Sequence, residues 1–214
     1  MSEQQQSLSA IRDIRQMMER SSRFISLSGL SGISAGICAL VGAWVAYPYV
    51  YGYKDYIINS PVSTSQDENA GYPIIFNTYL FWIAALTFGA ALLSAFIFTY
   101  IKSKKEGIPI WGTTAKRLLI NIAIPLVVGG IFLLKLLQFG TFGLVAPGCL
   151  LFYGLALINA SKYTLKEVKY LGYGQILLGV VNLSFVGYGL YFWAAGFGIL
   201  HILYGAYMWW KYGR

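Results

Sequence analysis

Residues 118–158 read LLINIAIPLVVGGIFLLKLLQFGTFGLVAPGCLLFYGLALI, with Lys135 as their one charged side chain. As a single helix this stretch would be about 60 Å long, twice the roughly 30 Å of hydrocarbon in a bilayer. It therefore has to turn back on itself. The turn chemistry near its middle is Gly140-Thr141-Phe142-Gly143, which divides it into helices over 118–138 and 143–161.

The same length argument extends outward. The run from Leu171 to Trp210 breaks best at Gly187-Tyr188-Gly189, giving helices over 170–186 and 190–210; a break at Gly196 and Gly198 leaves the last helix too short. Upstream lie apolar runs at 25–50 and 74–101, the second opened by Pro73, whose missing N–H costs nothing in a first helical turn. The expectation is an all-α integral membrane bundle of six transmembrane helices over residues 25–212. Residues 1–24 precede it as a cytoplasmic amphipathic helix, in which Leu8, Ile11, Ile14, Met17 and Met18 recur at helical spacing.

Composition agrees: 57% of the 214 residues are hydrophobic and 11% charged, against about 25% charged in soluble domains. No polar stretch is long enough for a separate soluble domain. The net charge of +8 would suggest nucleic acid in a soluble chain, but its placement follows topology instead. Arg12, Arg15, Arg20, Arg23, Lys102, Lys104, Lys105, Lys116, Arg117, Lys162, Lys166, Lys169, Lys211 and Arg214 share one side of the six-helix plan with five acids, a net +9. Lys54, Lys135 and three acids on the other side give −1, and the two sides account for the whole. Basic residues flanking short loops stay in the cytoplasm, so both termini are expected there, with no nucleic-acid partner. A cleavable signal is not expected, because three acidic and four basic residues occupy the first 23 positions.

The stretch IRDIRQMMERSSRFISLSGLSG, residues 11–32, resembles the N-terminus of an uncharacterised membrane-protein family of Bacteroidetes-type bacteria. The likeness covers about a tenth of the chain. It implies a bacterial inner (plasma) membrane and carries no activity or site residue with it.

Within the spans, each polar side chain needs a partner, because hydrocarbon offers none. His201 is the chain's single histidine and lies near mid-span, where structural hydrogen bonding, a proton or ligand role, and metal binding are the alternatives. A metal needs three or four ligands; no Asp, Glu or second His lies in the spans, and Cys38 and Cys149 lack metal-site spacing, so no metal or cofactor is expected. Gln175 falls at the depth of His201 if the last two helices form a tight hairpin. Asn182, Asn121, Asn159 and Gln138 suit interhelical bonds, and Lys135 can carry its ammonium to the outer interface. His201, Gln175, Asn182, Asn121 and Lys135 form the candidate intramembrane polar set.

Pro125 and Pro147 are expected to bend their helices. Ser28, Gly32 and Gly36 recur every four residues, a face for close contact with another helix or for self-association with a second copy. Gly32–Leu40 is weakly similar to Gly143–Leu151, as two inverted three-helix halves would be. Trp44, Tyr47, Tyr49, Tyr51, Tyr53 and Tyr56 at the outer side, and Tyr207, Trp209, Trp210 and Tyr212 at the inner, read as interfacial belts. The outer loop, with Asp55, Asp67 and Glu68, reads as solvated or as a lid.

No GxSxG, Walker, HExxH or GxGxxG motif occurs, so catalysis is not expected. The favoured reading is a non-enzymatic regulatory, sensory or accessory membrane subunit, working through lipid and a protein partner. The alternative is a small transporter or channel for an uncharged or lipophilic solute; a third, an enzyme with His201 as base, lacks a second reacting group.

Overall fold

The computed structural model describes residues 28–52, 72–107 and 111–212, and among these every regular element is helical. Helix α1 spans Gly29–Tyr47 and runs into a π-helical turn, Pro48–Gly52. Then come α2 (Tyr72–Glu106), α3 (Thr113–Gln138), α4 (Val145–Ala160) and α5 (Val168–Ser184). The last rod is composite: α6 (Gly189–Trp193), a π-helical segment (Ala194–Leu200) and α7 (His201–Tyr212). Among the described residues five stretches are long and apolar enough to cross a membrane. The remaining helix, α5, has 17 residues, about 26 Å at 1.5 Å per residue. The expected amphipathic helix over 1–24 and most of the outer loop lie outside the described residues.

Among the described residues most expected ends hold within about three residues, and two fall short. Helix α2 continues to Glu106 rather than 101, and α3 starts at Thr113 rather than 118. Apolar sequence marks where hydrocarbon ends, whereas good helix formers such as Lys102, Lys104 and Lys105 carry the backbone onward. Both expected breaks are found. Gly140 adopts φ +71°, with Gly140 N–H bonded to Leu137 O (3.1 Å) and Thr141 N–H to Leu136 O (2.9 Å). That bond pair closes a helix on a left-handed residue, which glycine supplies without steric cost. A 3-10 turn, Val186–Tyr188, separates α5 from α6.

Helices α1 and α4 are the hubs. Helix α1 lies between α2 and the last rod, α4 lies between α3 and α5, and α2 and α3 pack on little else. Small residues set these contacts. A Cβ on Gly205 would come within 2.6 Å of Gly29 O and Ile33 N, and one on Gly36 within 2.7 Å of Gly198 O. Gly154 and Gly172 meet the same way: a Cβ on either would lie 2.8–2.9 Å from the other's carbonyl. The Gly32/Gly36 face, which the sequence left open between internal packing and self-association, is thus occupied by the last rod of the same chain.

The two prolines act differently. Pro125 lies inside α3 and withholds the N–H that Asn121 O would accept; Asn159 Nδ2 from α4 donates to that carbonyl instead, at 3.0 Å. Pro147 is the third residue of α4, where N–H groups lack a helical partner anyway, so it starts that helix rather than bending it.

Gly205→Leu should force α1 and the last rod apart and destabilise the protein by about 1–3 kcal/mol, the usual cost of overpacking. Gly130→Leu, where an added Cβ meets nothing within 4 Å, should leave the detergent melting temperature nearly unchanged. Equal melting of the two variants would refute the close-packing account.

Candidate intramembrane polar site

The site is built on a widened turn. In the π-helical segment the backbone N–H of His201 bonds to Gly198 O, and the Gly196 carbonyl accepts from two side chains: Gln175 Nε2 of α5 at 2.8 Å and His201 Nδ1 at 3.0 Å. Single π-turns recur where a helix must present its backbone to a side chain. With Nδ1 donating, Nε2 of the neutral imidazole is an acceptor, and Tyr153 of α4 donates its hydroxyl to it at 2.8 Å. The 3.5 Å approach of Gln175 Nε2 to Nδ1 then brings two donors side by side on one carbonyl, and we assign no bond to it.

Three rods therefore meet at one polar knot. Gln175 is fully buried and His201 is 6% exposed. Phe197 stacks on the imidazole at 6.0 Å between ring centres and also contacts Tyr153 at 5.0 Å. A Cβ on Gly196 would lie 2.5 Å from Gln175 Oε1, so glycine there lets the amide lie flat on the backbone; that oxygen has no hydrogen-bond partner.

The sequence-derived set is only partly brought together. Gln175 and His201 meet as the hairpin argument expects. Asn182 is buried but bonds locally, Nδ2 to Phe185 O at 3.1 Å, closing the end of α5. Asn121 donates to Arg117 O of its own helix at 2.7 Å, so its interhelical role runs through its carbonyl. Lys135 donates to Gln138 Oε1 at 2.9 Å on the exposed face of α3, far along the bundle from the knot. Among the described residues no three His, Cys, Asp or Glu side chains gather as metal ligands, and Cys38 and Cys149 are free.

Two features escaped the sequence. Tyr153 sits 48 residues from His201, and with 17 tyrosines in the chain nothing local distinguishes it. At one end of the bundle Glu167, before α5, accepts from Lys211 Nζ at 2.6 Å and Tyr212 OH at 2.8 Å. Burial works to raise the Glu167 pKa, but the bonds from Lys211 and Tyr212 outweigh it and the net direction is down.

Toward the other end, α1, α2, α4 and the last rod enclose a cavity of about 400 Å³, with Leu137 of α3 also at its wall. Its lining is almost wholly apolar and includes neither Gln175 nor His201.

Fold and site together define the class: an all-helical bundle with large apolar side chains on its exterior and a small, self-bonded polar centre. Comparison with family models, with curated proteins and with solved structures gives no match.

Tyr153→Phe leaves Nε2 of His201 buried without a donor and should cost about 1–3 kcal/mol, read as a lower unfolding midpoint in detergent. No loss would sink the assignment of that bond. Glu167 stabilises the fold as a carboxylate with a lowered pKa. Its contribution is complete above the ordinary value near 4.5 and is lost as pH falls through the lowered folded value. Melting temperature should therefore drop on acidification below about pH 4.5, and Glu167→Gln should flatten that drop.

Proposed function

We propose that this chain is a six-span protein of the bacterial inner membrane, with both termini cytoplasmic, acting as a non-enzymatic regulatory, sensory or accessory subunit. Two cross-ties support the six-span plan. Glu167 is bonded to Lys211 and Tyr212 at one end of the bundle, and Tyr51 donates to Gly187 O at 3.3 Å at the other. Helix α5 and the last rod thus run in opposite directions, and α5 with its 3-10 turn, residues 168–188, reaches the length of a span. The positive-inside bias sets the orientation, and the resemblance of residues 11–32 supports the bacterial membrane.

The observation that carries the non-enzymatic reading is the closed knot. Both imidazole nitrogens are engaged by Tyr153 and Gly196, and Phe197 covers the ring. Such a group locks three rods in register; it is not presented to a substrate. A second reading, transport of an uncharged or lipophilic solute, is favoured by the apolar cavity and by the pairing of rods. The first-with-second and sixth-with-first contacts are echoed by fourth-with-fifth and third-with-fourth, as inverted halves would give.

The topology is checked with cysteines introduced at Gln66 and Lys104 after Cys38 and Cys149 are replaced by Ala. An impermeant maleimide on intact spheroplasts should label position 66 and spare 104. The role is checked by purifying the chain from its own membrane in mild detergent. A stoichiometric second protein is expected, and recovery of the chain alone, together with solute movement in reconstituted vesicles, would replace this reading with transport.

A further inference from the structure

The apolar cavity shares no lining residue with the polar knot and is unexplained by it. Its walls come from Ala46 of α1, Ala84 and Thr87 of α2, Leu137 of α3, Ala146 of α4 and Trp193 of the last rod, among others. Among the described residues no Asp, Glu, Lys, Arg or His lines it. The Tyr51 hydroxyl at its outer end is engaged with Gly187 O, and Tyr51 is packed between Tyr47 and Tyr191 at ring distances of 5.2 and 5.3 Å. On one side the cavity is bounded by α2 and α3, and these two helices pack on α1 and α4 rather than on each other. Its opening is therefore lateral, between α2 and α3.

From this geometry we infer that the cavity binds one hydrocarbon chain of an outer-leaflet lipid, entering sideways between α2 and α3. The proposal rests on the six-span reading, which places Gly42 to Tyr51 in the outer half of the bilayer. At about 400 Å³ the cavity falls within the roughly 300–1,000 Å³ range of ligand sites. Water is a poor occupant because it needs two to four polar partners, and a polar solute would lose its hydrogen bonds there. A void leaves the lining without dispersion contacts, and a methylene chain restores them. The tyrosine group ends the apolar lining at the level where a lipid's polar head begins, so the head stays outside and the chain alone is enclosed. Such a site adds ligand recognition to the proposed subunit: a lipid whose chain is held against α1, α2 and the last rod together.

Trp193 lines the cavity and Trp82 does not; Trp82 is 58% exposed on the surface of α2. Two single-tryptophan proteins, one keeping Trp193 and one keeping Trp82 with the others changed to Phe, are reconstituted in phosphatidylethanolamine vesicles. A rising fraction of the lipid carries brominated chains. Trp193 quenching should saturate at a mole fraction about tenfold lower than Trp82 quenching, a factor equal to about 1.4 kcal/mol of preference. Ala84→Phe, which fills the cavity from an exposed position, should abolish that difference, and Ala90→Phe on the same helix should preserve it. Gly187→Leu, at a second residue of the cavity lining where an added Cβ meets nothing within 4 Å, should repeat the Ala84→Phe result if that variant misfolds. Parallel quenching of the two tryptophans, or quenching of Trp82 alone, overturns the lipid site and leaves the six-span reading standing. Absence of quenching at both overturns the two together.

Discussion

A backbone surrounded by apolar side chains and hydrocarbon has to satisfy its own N–H and C=O groups, and the rest of this structure follows from that constraint. Helices satisfy most of them internally. Where a helix is interrupted, a specific side chain supplies the missing partner. Asn159 fills the bond that Pro125 removes from Asn121 O. Gln175 and His201 share the Gly196 carbonyl in the π-helical turn, and Asn182 closes the end of α5 on Phe185 O. These four side chains, Asn159, Gln175, His201 and Asn182, are therefore placed where the backbone departs from regularity, and each bonds to a carbonyl there.

Close packing meets the same constraint from the other side. Apolar helices gain no hydrophobic drive from leaving lipid, so contact area and backbone approach must hold them together. The glycines at 29, 36, 198 and 205 bring α1 against the last rod, and those at 154 and 172 bring α4 against α5. The price of two such tight pairs is that α2 and α3, which carry bulkier surfaces, are left at the edges. The cavity forms where those edges fail to meet, so the cavity and the tight core are products of one distribution of residue sizes.

The polar knot and the cavity divide the bundle by chemistry. Around His201 both ring nitrogens are hydrogen-bonded, and Phe197 stacks on the ring. Around Trp193 the walls are almost wholly apolar. The first ties three rods to one another through side-chain bonds, whereas the second leaves carbon surface without packing partners. Phe197 contacts both Trp193 and His201, so the two regions share one ring.

Much of this was legible in the sequence because its cause is local. Apolar run length set the helices, Gly140 and Gly187 set the turns, and the excess of Lys and Arg in alternate loops set the expected orientation. The Gln175–His201 encounter was legible too, because a tight hairpin fixes relative depth. Tyr153, the Asn159 bond to Asn121 O, the Glu167 tie to Lys211 and the cavity were not. Each depends on which helix lies beside which, and run length, turn chemistry and charge say nothing about lateral neighbours. The sequence by itself determined that the chain is a set of apolar helices and where the chain turns between them at Gly140 and Gly187. Only the tertiary structure decided that α1 pairs with the last rod and α4 with α5, because that choice is made by the fit of glycine-lined faces that look alike when read one helix at a time.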